Sequence, residues 1–190
     1  LFARYSEKAR FAHQVWATPD VSYIYVNDEG MYGFWVPDEY KDADGTKNVE
    51  TWGFVVDVRD LTHVHVNSFS TGVMSNAHNM YVRDNLLFFS VYEAGVMVYD
   101  IKVPMQPRLI ARYDTDALGD AGWGGSWTNY PFFDSNGKMF IVTADRYFGL
   151  FTFELELCDD TKRSYSERQC CDATEEPELI PVSPVSHTHV

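Results

Sequence analysis

Between residues 77 and 100 the apolar positions fall into three short runs separated by polar turns. Met80, Tyr81 and Val82 form the first run, and Arg83, Asp84 and Asn85 supply a turn. Residues 86–91 form the second run. A turn with Glu93, Ala94 and Gly95 leads to the third, residues 96–99, which Asp100 closes. Short apolar runs broken by turn formers predict antiparallel strands, and glycine at 95 can take the positive φ that a tight reversal needs. A meander of three such strands buries too little surface to stand alone, so similar neighbours are expected.

Two further units follow the same order. Upstream, His13, Gln14, Val15 and Trp16 match His78, Asn79, Met80 and Tyr81; residues 23–26 match 86–91, and residues 54–57 (FVVD) match 97–100 (MVYD). Downstream, Thr128, Asn129 and Tyr130 take the place of the His-Asn pair. Residues 140–143 then repeat the second strand, Gly149 repeats Gly95 and residues 150–153 repeat the third. A fourth strand follows two of the units, at residues 64–69 and 109–113. His13 and His78 are 65 residues apart, and an insertion at residues 31–50 lengthens that interval; four-stranded propeller blades usually repeat at about 40–50. The predicted fold is therefore all-β: a β-propeller of four-stranded antiparallel blades, about three of them present, near residues 13–71, 78–114 and 128–157. Three blades do not close a ring, so the chain is expected to be part of a larger one. Residues 1–5 (LFARY) match 109–113 (LIARY) and are expected to be the fourth strand of a preceding blade.

Composition narrows the function classes. At 45% hydrophobic and 16% aromatic residues, the sequence is neither disordered nor collagenous. Its longest near-continuous apolar run, residues 86–91, is far too short for a membrane span. The first ten residues scatter charges where a signal peptide would carry an apolar run, so the sequence reads as a mature product or part of something longer. A formal net charge of −13 repels phosphate backbones and argues against nucleic acid as a partner.

From residue 158 the periodicity stops. Residues 158–190 read as an extended tail holding all three cysteines, Cys158, Cys170 and Cys171. A disulfide from Cys158 to Cys170 or Cys171 would close a loop of about a dozen residues and stabilise by roughly 3 kcal/mol, leaving one thiol over. A zinc site with His187 and His189 fits less well, because adjacent cysteines are poor pincers for one tetrahedral ion. A disulfide implies an oxidising compartment.

The segments FAHQVWATPD, VNDE, FVVDV, AHNMYV, YEAGVMVYDI, GGSWTNYPFFDSNGKMFIV and FGLFTFEL occur in that order. Together they resemble the C-terminal half of the LVIVD-repeat propellers, which include the bacterial choice-of-anchor B family. The resemblance covers residues 12–154, and GSWTNYPFF is its most specific part. It implies a β-propeller, exported or held at the cell surface, with no established catalytic activity. The chain departs from that pattern in lacking the N-terminal blades, in its insertion at residues 31–50 and in its cysteine-bearing tail.

In a propeller the first strand of each blade lines the central channel. His13, His78 and Thr128 are then expected at equivalent positions near Trp127. Two such histidines can bind a divalent metal, with Asp20, Asp28 or Glu29 as oxygen donors. The simpler expectation is that each histidine hydrogen-bonds the backbone of the next blade and locks the two together. Asp57 and Asp100 end equivalent strands and should accept backbone N–H groups in the turns that follow. Ser90 and Ser126 lack the Gly-x-Ser-x-Gly context of an exposed nucleophile, and the glycines of residues 119–125 lack the helix and lysine of a phosphate loop. No catalytic residue is assigned.

Rim loops carry Trp16, Trp35, Tyr40, Trp123 and Trp127 among acids and glycines, a composition that suits protein or carbohydrate contacts. The leading functional expectation is a non-catalytic binding or scaffold propeller. A metal-dependent enzyme with its site in the channel and a self-assembling structural subunit are the alternatives. Expected partners are the missing blades, a separate protein or a second copy of the chain.

Overall fold

The computed structural model of the chain describes residues 12–29, 50–116 and 124–155, and the backbone of 180–181. The expectations for residues 1–5, for Trp35, Tyr40 and Trp123, and for the cysteines Cys158, Cys170 and Cys171 lie outside the described residues.

Three four-stranded sheets account for the described chain. The first contains β1 (Ala12–Ala17), β2 (Tyr23–Asp28), β3 (Trp52–Asp57) and β4 (His65–Ser70). The second contains β5 (Met80–Arg83), β6 (Leu86–Val91), β7 (Gly95–Asp100) and β8 (Arg108–Tyr113). The third contains β9 (Ser126–Phe133), β10 (Met139–Asp145), β11 (Gly149–Leu155) and β12 (Ile180–Pro181). Within each sheet the strands lie in chain order, and every neighbouring pair is antiparallel. The first strands of successive sheets, β1, β5 and β9, adjoin one another. This is the up-and-down blade arrangement of a β-propeller, with three blades present, as the repeats predict.

Blade 2 explains why its sequence is the most apolar. Both of its faces are covered, so β6 (LLFFSV) is buried along its whole length. Because alternate side chains of a strand point to opposite faces, the run splits in two. Leu87, Phe89, Val91, Met97 and Tyr99 pack with Tyr25 and Val55 of blade 1. Leu86, Phe88, Val96 and Val98 pack with Met139, Ile141 and Phe153 of blade 3. Each fully buried side chain of this size contributes about 1.5–3 kcal/mol of transfer free energy, which makes blade 2 the core of the chain.

Gly95 begins β7 with φ +75°, and a Cβ there would lie 1.9 Å from the Tyr113 carbonyl oxygen. Only glycine allows that approach of hairpin to outer strand.

The third blade differs from expectation at its edge. Ile180 and Pro181 pair with Glu154 and Phe153, giving blade 3 a short fourth strand from the stretch that composition assigns to a tail. Proline is tolerated there because an outer strand need not donate on its free side. The outer edge of β11 is thus covered at Phe153 and Glu154. No helix among the described residues is long and apolar enough to cross a membrane.

Candidate functional site

The ladders fix which residues of the three blades correspond. Val55 and Val98 occupy the same place in the FVVD and MVYD strands; Val98 and Thr152 stand at the same distance after the hairpin glycines Gly95 and Gly149. Their partners one strand inward are Tyr25, Phe88 and Val142. One strand further in are Trp16, Tyr81 and Tyr130. Counting from these positions, His13, His78 and Trp127 are equivalent, and so are Glu29, Tyr92 and Arg146. The sequence match had put Thr128 beside the histidines by aligning Asn79 with Asn129. The ladder instead sets Tyr130 level with Tyr81, and Trp127 then takes that place.

These two rows meet at one end of the inner strands. The His13 and His78 rings have centroids 4.6 Å apart, and those of His78 and Trp127 are 4.2 Å apart. His13 Nδ1 donates to the His78 carbonyl at 2.7 Å, and His78 Nδ1–H is shared between the Trp127 carbonyl at 2.8 Å and Asn79 Oδ1 at 2.6 Å. A carbonyl oxygen can only accept, so both rings carry hydrogen on Nδ1. With Nδ1 so engaged, Nε2 is the ring nitrogen left on the other side, and it carries a lone pair whenever the imidazole is neutral. Both Nε2 atoms face Glu29, with His13 Nε2 at 3.6 Å from Oε2 and His78 Nε2 at 3.9 Å from Oε1. The three donor groups lie within 4.8 Å of one another.

Neighbouring side chains hold this arrangement. The Tyr92 hydroxyl donates to Glu29 Oε1 at 2.9 Å. Burial, then the hydrogen bond and charge of Glu29, push the Tyr92 phenol well above its usual range, so it stays a donor. Gln14 Oε1 accepts Asn79 Nδ2 at 2.9 Å and the Met80 amide at 2.7 Å, while Asn27 bonds the Gln14 amide and the His78 carbonyl. The Ser126 amide donates to the Tyr92 carbonyl at 2.9 Å. That contact depends on Gly125, whose φ is +86° and whose Cβ would stand 1.9 Å from the same oxygen. Blade 1 thus supplies His13 and Glu29, blade 2 supplies His78 and Tyr92, and blade 3 supplies Trp127 and Arg146.

Two imidazoles and one carboxylate are a donor set for a first-row transition metal, with positions left open. Bonds of about 2.0–2.1 Å in a tetrahedral zinc site put ligand atoms about 3.3–3.4 Å apart, so the 3.6 and 3.9 Å separations from Glu29 have to close for all three to bind one ion. The Nδ1–H bonds to carbonyls are the second contact that fixes a metal-binding histidine in orientation and tautomer. A bound metal could polarise a ligand oxygen or lower the pKa of water.

No protein-family model matches the chain, and no curated protein matches it. Among solved structures, the periplasmic gluconolactonase PpgL of Pseudomonas aeruginosa is similar at 12% identity with a TM-score of 0.45. The match covers 76% of this chain and 50% of that one, so the chain spans about half the length of that protein. At this level the likeness speaks for neither activity nor compartment.

Other residues singled out by sequence have clear structural places. Asp20 accepts the Thr18 hydroxyl at 2.6 Å and the Ser22 amide at 3.1 Å, which brings its pKa to about 2 and makes it the brace of the β1–β2 turn. Asp28 is fully buried, and Glu29 is the acid that joins the histidines. Asp57 accepts the Arg59 amide and Asp100 the Lys102 amide, as expected for acids before turns. Ser126 is buried, and its hydroxyl meets Ser90 and Thr143, so it is no nucleophile. Trp16 is 39% exposed with its ring 4.9 Å from Tyr81, and Trp127 is 37% exposed. Trp127 is not a bare rim aromatic, because its ring already packs against His78, Tyr92 and Arg146. Tyr92 and Arg146 were missed by sequence; their signal is the shared spacing from the second strand of each blade.

Proposed function

We propose that this chain is the metal-binding and ligand-binding part of a larger β-propeller, with His13, Glu29 and His78 holding a divalent transition metal at the end of the channel. The observation that carries this reading is the convergence of two Nε2 atoms on one carboxylate, each ring fixed by an Nδ1–H bond to a backbone carbonyl. A cation between them satisfies all three groups at once. Open coordination positions then receive a ligand oxygen.

The wider setting is part of the same proposal. The resemblance of residues 12–154 to the LVIVD-repeat propellers supports a setting in which further blades, from a longer polypeptide or a second copy, complete the ring. Surface or exported placement follows from that resemblance. The half-exposed Trp16 supports a recognition role for the rim beside the metal.

Native mass spectrometry of the full chain after exposure to Zn(II) or Co(II), followed by buffer exchange, tests the metal. One retained ion per site is expected, with none retained from Mg(II) or Ca(II), which prefer all-oxygen shells. A His13→Ala, His78→Ala double variant should fold and retain no ion. Equal retention by the double variant and wild type would sink this reading.

A further inference from the structure

We propose that the site accepts a small organic acid, its carboxylate held by Arg146 while a second oxygen fills an open position on the metal. This rests on the metal reading above and adds the chemical class of the ligand.

The two repeated positions change character from blade to blade. Blade 1 gives an imidazole and a carboxylate, and blade 2 an imidazole and a phenol. Blade 3 gives an indole and a guanidinium, Trp127 and Arg146. The guanidinium carbon of Arg146 lies 4.9 Å from the Trp127 ring centroid and 5.8 Å from that of Tyr147. Stacking of this kind engages the face of the guanidinium, while its N–H donors point along its plane. Among the described residues no carboxylate lies within ion-pair distance of it.

Position ties this cation to the donor cluster. Glu29, Tyr92 and Arg146 are consecutive members of one row, and the Tyr92 hydroxyl that bonds Glu29 also feels the Arg146 charge. Trp127, which Arg146 covers, packs on the ligand His78 at 4.2 Å. A metal in blades 1 and 2 and a guanidinium in blade 3 make two neighbouring positive centres in a chain of net charge −13. Such a pair attracts an anion locally against the field of the rest of the surface. A planar carboxylate matches the fork of donors along a guanidinium edge. The competing structural role, a cap that only steadies Trp127, would leave ligand affinity untouched.

The test loads the full chain with Co(II), titrates succinate, and follows the visible Co(II) spectrum together with calorimetry; succinamide is the neutral control. Succinate should bind and perturb the spectrum, and succinamide should not. Arg146→Gln should weaken succinate by about tenfold or more, since a charged hydrogen-bonding partner is lost, while Co(II) affinity stays within about twofold. Arg146→Lys should restore part of the affinity, because it keeps the charge without the fork. Unchanged succinate affinity in Arg146→Gln overturns the proposal, as does succinamide binding as tightly as succinate. Inorganic phosphate displacing succinate at lower concentration overturns the choice of carboxylate. A wild-type chain that takes up no Co(II) overturns the metal reading itself, whereas normal uptake with Arg146-independent anion binding overturns this inference alone.

Discussion

His78 Nδ1 donates to the Trp127 carbonyl at 2.8 Å, so one imidazole pins blade 2 to blade 3 while its Nε2 faces Glu29. His13 repeats the device one blade earlier, on the His78 carbonyl. Blade locking and metal binding are therefore not competing roles. Locking uses one ring nitrogen and leaves the other oriented for a cation.

The two roles separate by substitution. Asparagine at 78 places an amide N–H near the position of Nδ1 and has nothing at Nε2. His78→Asn should lose the metal yet stay within about 1 kcal/mol of wild type, whereas His78→Ala loses the pin as well and should cost about 1–3 kcal/mol through an unsatisfied carbonyl. Urea unfolding of metal-free protein, paired with zinc titration, reads both. Equal destabilisation by the two variants would show that the pin carries nothing.

Tyr92 should act on the metal only through Glu29. Its hydroxyl occupies Oε1 of that carboxylate, and the ring packs against His78 and Trp127, so Tyr92→Phe keeps the packing and deletes the bond. Outer partners of metal ligands typically contribute about 10–100-fold in affinity. A fall of that size in zinc affinity, with an unchanged unfolding midpoint for the metal-free protein, is the expected result. Zinc affinity equal to wild type would place Glu29 outside the coordination shell.

Gly125 is where blades 2 and 3 come closest beside the site. Alanine there meets the Tyr92 carbonyl at 1.9 Å and has to hold φ +86°. The same residue's carbonyl accepts the Arg146 amide at 3.1 Å. Gly125→Ala should destabilise by about 1–3 kcal/mol from backbone strain alone, with displacement of Tyr92 adding to this. Gly137 also has positive φ, +79°, but faces open space, so Gly137→Ala is the control for strain without a clash. Thermal unfolding should rank Gly125→Ala below Gly137→Ala, and the reverse order would contradict the close approach.

The strands were legible because blades alternate apolar and polar residues at period two between strong turn formers. The two-face burial of blade 2 made its run LLFFSV the clearest signal. β12 was not legible, since its paired residues, Ile180 and Pro181, lie in a short run (LIPV) without strand alternation, far in sequence from the sheet they join. Pattern alone rarely specifies pairing of that kind. His13 and His78 stood out as a repeated His-amide pair, and the structure gathers them with one of the three acids offered as donors. Tyr92 and Arg146 escaped notice because their equivalence to Glu29 depends on ladder register. Those positions follow only once the ladders set Tyr25, Phe88 and Val142 level with one another.

The acid limit of stability should trace in part to Asp57, away from the site. Arg59 donates to both of its oxygens, with Nη2 to Oδ2 at 2.6 Å and Nε to Oδ1 at 3.0 Å, and its amide adds a bond to Oδ1. The side-chain bond from Arg59 is the main cause that holds the Asp57 pKa at about 2, below the ordinary 3.8. A carboxyl whose folded pKa is depressed binds fewer protons folded than unfolded, so it contributes stability above the unfolded value. That contribution is lost as pH falls from near 3.8 through about 2. Asp57→Asn should therefore lower the unfolding midpoint near pH 6 and flatten its decline between pH 4 and pH 2, and added salt should shrink the difference because Arg59 is exposed. Asp20, also held at about 2 but by Thr18 and Ser22 without a cation, is the comparison, and its neutral-donor bonds should respond less to salt. Denaturation curves for wild type, Asp57→Asn and Asp20→Asn at several pH values and two salt concentrations decide the matter. A wild-type decline that survives unchanged in Asp57→Asn would assign the acid sensitivity to other carboxylates.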